Sequence, residues 1–466
     1  MADRPTLRLS WDVPLEESAD VLVVGGSSAG IAAATAAARN GARTVLVERY
    51  GFLGGTSTAG LVGPFMTSYS ADGSEAVIGG IFQEVVDRMA ATGGAIDPSK
   101  TEGGEKWNAY IKLGHAHVTP VHPEALKVAA METVVEAGVR LMLHTAFVDV
   151  VRTEGADRTE GADRLDGIVV LTKAGLRALP ATVLVDCSAD ADVAVRAGVP
   201  VQKGRESDGR MMPATMFFRI GGVDDDRVEA FARDHEVQHP GERLYECIVQ
   251  EARGRGQFPV PREYINIYRE PEPGVWRANI TRLHDIDGTN PEDLTRAEVE
   301  GRRQVMKVFA FMRERCPGLE QARLLDVATQ IGIRETRRIH GLYTLTGEDV
   351  LRGARFEDAI ARCAYPIDIH DPTGTRGQLV GLESAGYYEI PYRCLVPERV
   401  DNLLVAGRCL SATHEAAASA RVIPPVYAMG QAAGTAAALC ARERLRPRDL
   451  DGRRLRETLR TQGAIV

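Results

Sequence analysis

Six residues near the N-terminus, Gly25-Gly26-Ser27-Ser28-Ala29-Gly30, have the composition needed to bring main-chain N–H groups against a pyrophosphate. Small residues let the backbone turn tightly and approach an anion, and a helix opening directly after them adds the positive end of its dipole. The spacing G-x-G-x-x-G is kept except at the middle glycine, where Ser27 stands. Serine is small enough to preserve the approach, and its hydroxyl adds a donor for phosphate. Glu48 follows about 20 residues on, an acceptor placed for ribose hydroxyls whose charge would repel a 2′-phosphate. Just beyond it, Leu53-Gly54-Gly55-Thr56 offers a second place where backbone can come close to a ligand. A nicotinamide-binding unit has no use for that second approach, whereas the longer reach of FAD does.

Two further segments carry chemistry. Val185-Asp186-Cys187-Ser188-Ala189-Asp190-Ala191-Asp192 ends an apolar run with carboxylates that either touch a ligand or cap the helix expected from Val193. Near the C-terminus, an apolar run from Asn402 ends at Gly407-Arg408-Cys409, followed by Ser411 to Glu415, Arg421 to Pro425 and Met429 to Gly434. A strand ending at Gly407 would bring backbone to the cofactor again, and Pro424-Pro425 opens a helix where prolines are tolerated. That helix N-terminus, facing the flavin pyrimidine edge, would stabilise negative charge on the reduced ring. Gly430 and Gly434 would let the helix lie close.

Hydride transfer needs a group to take or give a proton and a cation to orient a polar substrate. His414 is the first candidate for the proton, in a polar loop between the Gly407 strand and the last helix. The alternative for it is a helix cap or a bond to a backbone carbonyl. Arg421 suits bidentate binding of a carboxylate or carbonyl, or else binds the cofactor or a structural carboxylate. Arg334 is the third candidate. It shares a face with Arg338 if that segment is helical, with Glu335 as a neutralising partner, and both arginines also suit ordinary ion pairs. Tyr387 and Tyr388 read as core. His115, His117 and His122 contain one H-x-H pair, but Glu124 is the only acid close by, so no metal is expected.

These residues need an alternating β/α scaffold to position them. Residues 20–24 (DVLVV) read as a buried strand, 31–39 as an Ala-rich helix stopped at Asn40-Gly41, and 44–47 as the next strand. Together they make the βαβ unit of a parallel sheet. Residues 123–137 read as a helix stopped by Gly138, with strands at 139–143, 147–151, 166–171, 176–179 and 182–185. The hexapeptide TEGADR at 153–158 recurs at once at 159–164, a polar duplication suited to a hairpin tip. From 203 to 330 the chain is richer in charge and aromatics and loses the strand–glycine–helix rhythm. Strands are expected there at 216–220 and 263–268, and one long helix at 296–315. The α/β texture returns from 388 to 440, with a strand at 402–406 and a helix at 425–441. The reading is an α/β fold: an FAD-binding, Rossmann-like parallel-sheet domain, discontinuous in sequence (18–202 and 331–445). A mixed α+β substrate lobe (203–330) is inserted in it, and 446–466 follows as a surface tail.

A chain of 466 residues suits two lobes rather than one core, and 44% hydrophobic with 26% charged residues suits a folded soluble protein. A net charge of −8 disfavours nucleic acid, and the arginines between 442 and 460 are interleaved with acids, as on a solvated helix. The polar, acidic N-terminus has no signal-peptide core, and no apolar stretch reaches the roughly 20 residues needed to span a bilayer. Seven cysteines without a C-x-x-C argue against a zinc ribbon, an iron–sulfur cluster and a dithiol centre, and suit reduced thiols in a cytoplasm. The expected partner is a small-molecule substrate, with no nucleic acid and no membrane; a homo-oligomer is left open.

Residues 19–60 and 385–441 together resemble the FAD-dependent oxidoreductase family of the glutathione-reductase-type (Rossmann) FAD-binding superfamily. The segment 331–345 (IGIRETRRIHGLYTL) is similar to one that such proteins carry between lobes. The resemblance implies FAD and redox chemistry without implying one substrate. It places cofactor contacts on Gly25, Gly26, Ser27, Ser28, Ala29 and Gly30, then Glu48, Arg49, Gly54, Gly55 and Thr56. Farther along it adds Ala146, Phe147, Cys187, Ser188, Asp190, Gly407, Arg408, Gln431 and Ala432. The departures are Ser27, Ala189 and Ala191, where glycines are usual. Only one dinucleotide fingerprint is present and no cysteine pair, which argues against a disulfide reductase and for a middle lobe closing over the flavin. The expected activity is that of a cytoplasmic FAD-dependent dehydrogenase, oxidase or reductase moving a hydride between a small polar organic substrate and flavin. A monooxygenase and a non-catalytic nucleotide-binding subunit are the alternatives.

Overall fold

The run ADVLVV forms strand β1 (Ala19–Val24), buried along nearly its whole length, as β-branched residues in a sheet covered on both faces should be. The computed structural model describes residues 7, 10–101, 107, 117–152, 163–238, 242–383 and 386–466. His115 and the TEGADR repeat up to 162 lie outside them. Helix α1 (Ser28–Arg39) follows β1, N-capped by Ser27, and β2 (Thr44–Val47) returns parallel to β1. Strand β3 (Arg140–Met142) adds in parallel to β2 after the helix Pro123–Glu136. His122 caps that helix, its Nδ1 accepting from Glu124 N at 3.3 Å.

On the other side of β1 the sheet changes character within one strand. β4 (Ala146–Val151) and β5 (Gly167–Thr172) form an antiparallel pair, and β6 (Gly175–Asp186) begins antiparallel to β5. The second half of β6 runs parallel to β1, and strand Leu403–Val405 adds in parallel on its far side. The sequence suggests two strands here because Pro180 interrupts the run. Instead Pro180 sits inside one strand, paired with Gly167, where the partner changes from antiparallel to parallel. The result is a seven-stranded sheet whose parallel strands end together at Val24, Val47, Asp186 and Val405.

The middle of the chain builds a second, antiparallel sheet in the order Arg323–Val327, Phe218–Gly221, Trp276–Ala278, Ile267–Arg269. The long helix Pro291–Arg315, capped by Asn290, packs with it around a separate core that includes Phe218, Ile220, Trp276, Val305 and Met312. The segment from Ile331 is not helical. It runs irregularly into strand Arg337–Ile339, which pairs with Val201–Lys203, so Arg334 and Arg338 do not share a helical face. Two antiparallel pairs between 359 and 391 have no counterpart in the sequence reading: Ala359–Cys363 with Tyr388–Pro391, and Ile367–His370 with Gly377–Val380.

The C-terminal helix Ile423–Glu443 is buried along most of its length and crosses α1 at backbone contact. A Cβ at Gly434 would stand 2.0 Å from the Ala33 carbonyl oxygen, and one at Gly430 would stand 2.2 Å from that of Ala29. The stretch 446–466 is no surface tail. Its helix Gly452–Thr461 alternates arginines with Leu455 and Leu459, which are fully buried in the main core. All seven cysteines are free thiols, six of them buried, and Tyr388 is core, its hydroxyl 2.8 Å from Ser419 Oγ. Among the described residues no helix is long and apolar enough to cross a membrane. Gly434→Val should lower the unfolding free energy by about 1–3 kcal/mol in urea titration, because neither helix backbone can yield. Gly381→Ala, with nothing within 4 Å of the added carbon, should stay within about 0.5 kcal/mol of the parent.

Candidate functional site

Where parallel strands end, unpaired main-chain groups and the helix N-termini that follow them face one crevice. Here that crevice is a groove lined by Val24 and Gly25 at the end of β1, Val47 and Glu48 at the end of β2, Cys187 and Ser188 beyond β6, and Gly407 beyond Leu403–Val405. Gly25 (φ 98°) and Gly407 (φ 112°) therefore border the same space, each in a conformation that side chains resist. A Cβ on Gly25 would meet the Cys187 carbonyl oxygen at 2.6 Å. Ser28 opens α1 at the groove wall, where first-turn N–H groups have no intrahelical acceptor.

The groove's carboxylates are held by main chain and arginine. Glu48 Oε2 accepts from Gly26 N (2.7 Å) and Oε1 from Tyr50 N (2.8 Å). Burial raises the Glu48 pKa, and these N–H groups partly offset it. Asp190 Oδ1 accepts from Arg408 Nη2 and from Thr336 Oγ1, both at 2.6 Å. Asp186 is the capping carboxylate of its segment, accepting from Ser188 N (3.0 Å) and Ala194 N (3.0 Å). Asp192 pairs with Arg337 (2.5 Å), and both line the groove.

Of the other residues named from sequence, Ser27, Arg49, Gly55, Thr56, Ala146, Phe147 and Arg408 also line the groove. The Ser27 hydroxyl donates to the Cys187 carbonyl (3.0 Å) and accepts from Gly30 N (3.4 Å), so it ties β1 to β6 rather than waiting for a phosphate. Gly26, Ala29, Gly30, Gly54, Gln431 and Ala432 do not line it. Gly30 packs beneath the Gly25 carbonyl, and Gly54 N donates to Gly26 O (2.8 Å). Gln431 Oε1 accepts from Ile81 N (3.0 Å), because helix Ile423–Glu443 presents its first turns, Ile423 and Val426, to the groove and turns its later residues into the core. Arg337 and Gln330 are groove residues that sequence reasoning missed. Gln330 Oε1 accepts from both Arg49 Nη2 and the Tyr50 hydroxyl.

The groove opens into an inner cavity, the two sharing Thr56, Arg408, Arg421 and Ile423. Both lobes wall it. Tyr264, Asn266 and Asn279 come from the middle of the chain, Arg334 from the irregular segment, and Asp368 and His370 from the hairpin Ile367–His370/Gly377–Val380. His370 Nε2 lies 3.3 Å from Asp368 Oδ2, which also accepts from the Tyr365 hydroxyl (3.1 Å). Burial, with the nearby Arg334 charge, pushes the His370 pKa down to about 3, and neighbouring cations hold Asp368 well below the usual carboxylate range despite its burial. These groups were missed because each stands alone in sequence; the D-x-H spacing of Asp368 and His370 is the only local signal.

His414 is not in the cavity. Thr413 caps a short helix, His414–Ala420, and so turns the imidazole inward, only 3% exposed. Its Nδ1 lies 2.9 Å from Glu335 Oε2, which also accepts from Arg338 Nη1 (3.1 Å). Arg338 continues to the carbonyls of Ala412 and Gly204, closing a buried network behind Arg334. Among the described residues no group of three or more His, Cys, Asp or Glu side chains is placed to hold a metal ion, and His117 Nδ1 lies 2.7 Å from the Pro98 carbonyl.

The groove fits an adenine–flavin dinucleotide. Ser28 and the start of α1 would face the pyrophosphate and Glu48 a ribose, and Ala146 and Phe147 provide an apolar wall. Buried Arg408 Nε, without a partner among the described residues, leaves a donor at the junction with the inner cavity. The chain matches the family described as FAD dependent oxidoreductase over residues 20–459. No curated protein matches it. Similar solved structures include a geranylgeranyl bacteriochlorophyll reductase-like protein from Thermoplasma acidophilum, with 11% identity and a TM-score of 0.45 over 96% of this chain and 84% of that one. Another is p-nitrophenol 4-monooxygenase PnpA from Pseudomonas putida, with 12% identity and a TM-score of 0.47 over 94% and 83%. L-proline dehydrogenase from P. horikoshii has 9% identity and a TM-score of 0.43 over 96% and 99%. With a family match from residue 20 to residue 459, laid over a groove that fits the dinucleotide, the chain belongs to the FAD-dependent oxidoreductases.

Proposed function

We propose that this enzyme moves a hydride between a small polar organic substrate, held in the inner cavity, and FAD held in the groove. The observation that carries this reading is the junction: Thr56, Arg408, Arg421 and Ile423 border both spaces, so substrate-facing side chains stand at one end of the cofactor groove. Bound flavin supplies a two-electron donor and acceptor. Met66, Phe217, Leu379 and Val422 wall the cavity with apolar surface, which excludes water and strengthens every polar contact inside.

Arg421 is the orienting cation. Its Nη2 donates to the Asp368 carbonyl (3.3 Å) and lies 3.8 Å from the Asp368 carboxylate, while buried Nε has no partner among the described residues. His370 takes the place at first given to His414. With Asp368 accepting from Nε2–H, the lone pair sits on Nδ1, which has no partner among the described residues; the depressed pKa keeps the ring neutral but a weak base, so it takes a proton only once a bound anion raises that pKa. His414 becomes a positioning residue, holding Glu335 next to Arg334 in the chain.

The test is anaerobic photometry of the FAD-loaded protein. A small polar substrate should bleach the oxidised flavin bands, and His370→Gln should slow that bleaching by about 100-fold or more. Arg421→Met should lower kcat/KM by about 100-fold. Bleaching only by NAD(P)H, with oxygen uptake and a hydroxylated product, would replace this reading with a monooxygenase. Glu48→Ala should raise the FAD dissociation constant about 10- to 100-fold in fluorescence titration, since two N–H groups lose their acceptor and the ribose loses its own.

A further inference from the structure

The inner cavity is lined by more guanidinium groups, Arg243, Arg334, Arg408 and Arg421, all partly buried, than its carboxylate can neutralise. Arg262 does not line the cavity but is wholly buried against residues that do: its Nη1 donates to Asn279 Oδ1 (3.1 Å) and its guanidinium lies 5.0 Å from the Tyr264 ring, while Nε and Nη2 have no hydrogen-bond partner among the described residues. Arg334 donates from Nη1 to the Pro213 carbonyl and from Nη2 to the same Asn279 oxygen at 3.5 Å. None of the ion pairs among the described residues includes Arg262, Arg334 or Arg243, and Arg243 stacks over the Tyr264 ring at 3.8 Å. Among the described residues Asp368 is the one carboxylate lining the cavity, and it is already shared among His370, the Tyr365 hydroxyl and Arg421.

Guanidinium groups withdrawn from water without counter-charge are costly, and arginine gives up its proton too reluctantly to escape by neutralising itself. The strain shows at Arg334: burial, and then the charges of Arg421, Arg262 and Arg282, push its pKa down to about 9. Several guanidinium donors around one small space match a planar carboxylate, which accepts two parallel N–H bonds from one fork and single N–H bonds from its neighbours. The walls of Met66, Phe217 and Leu379 match an organic body rather than a bare inorganic ion.

We propose that the substrate of this oxidoreductase is a small organic acid whose carboxylate is held by Arg334 and Arg421, with Arg262 supporting from behind. This rests on the reading of the inner cavity as the substrate site. It also completes the proton chemistry, because an anion among these arginines would raise the His370 pKa toward the range useful for a base.

The experiment is binding rather than turnover. FAD-loaded protein is titrated with acetate, succinate and benzoate and with the matched amides, with inorganic phosphate as a control, following the flavin difference spectrum and calorimetric heat. At least one carboxylate should bind at least 10-fold tighter than its amide and tighter than phosphate. Arg334→Gln should cut that affinity at least 10-fold, and Arg421→Gln should do the same if the first variant is not soluble. Arg334→Met should raise the thermal midpoint of the unliganded protein, since it removes an uncompensated charge; a purely structural arginine would lower it on removal. Equal affinity for acid and amide, no binding of any acid, tighter binding of phosphate, or unchanged acid binding in both arginine variants would overturn the proposal. Acid binding without flavin bleaching by any substrate would leave the carboxylate site standing and remove hydride transfer; bleaching by a neutral molecule alone would do the reverse.

Discussion

The backbone contact between α1 and the Ile423–Glu443 helix is the constraint on which the site depends. Segments about 400 residues apart in sequence can share one ligand groove only if their helices cross closely enough to bring both preceding turns together. Alanine and glycine along both helices make that possible: Gly430 and Gly434 leave no room for a side chain against Ala29 and Ala33. The consequence appears at the strand ends, where β1 and Leu403–Val405 flank β6 and send Gly25 and Gly407 to one groove. The same crossing sets Ile423 and Val426 at the groove's inner end, so the closeness of two helices decides where the inner cavity begins.

Groove and cavity satisfy their polar groups in different ways. In the groove, Glu48, Asp190, Asp192 and the Ser27 hydroxyl all have partners within the chain. Such a surface is preorganised, and a dinucleotide adds contacts to it without having to rescue it. At the inner cavity, Arg421 and His370 in the lining and Arg262 outside it each keep a buried nitrogen unpartnered among the described residues. Native proteins keep few such groups, and each calls for an explanation, a bound ligand among them. Arg337 and Arg408 in the groove also keep a buried Nε unpartnered among the described residues, but each is paired with a carboxylate, Asp192 and Asp190, whereas Arg334 and Arg243 in the cavity are not.

That contrast also explains what could be read from the sequence. The cofactor half is written in short contiguous motifs, because a strand–turn–helix unit places its ligand-facing atoms within a few residues of one another. Gly25, Ser28, Glu48, Cys187, Gly407 and Arg408 were legible for that reason. Legibility failed where packing, not spacing, decides orientation. Gln431 and Ala432 lie in the right helix but past the turns that face the groove, and His414 is drawn inward by Thr413 and Glu335. The inner cavity is assembled from single residues on many segments, so apart from the D-x-H spacing of Asp368 and His370 it carries no local pattern. The hairpin that brings Asp368 and His370 was invisible as well, its strands being only four residues each.

The middle lobe must be anchored firmly for such an assembled cavity to keep its shape, and its anchor is ionic. Glu270 receives both Arg219 (3.1 Å) and Arg277 (2.8 Å), all three nearly inaccessible, and Arg219 reaches on to Asp326 (2.5 Å), so three of the four strands of the antiparallel sheet are cross-linked through one carboxylate and its partners. Arg277 then crosses to the other lobe, donating from Nη2 to the Val121 carbonyl (2.8 Å). Its Nη1 fills the space beside Gly63, where an added Cβ would stand 2.0 Å away, and Gly63 and Pro64 line the inner cavity. A buried ion pair of this kind is a poor source of net stability compared with apolar packing, but it fixes register sharply, since any slip strands a charge. The chain has therefore set a rigid ionic joint directly beside the cavity whose own charges it leaves open. The joint's acids are already committed to Arg219 and Arg277 and are not free to neutralise Arg262 and Arg334, which leaves that task to whatever the cavity binds.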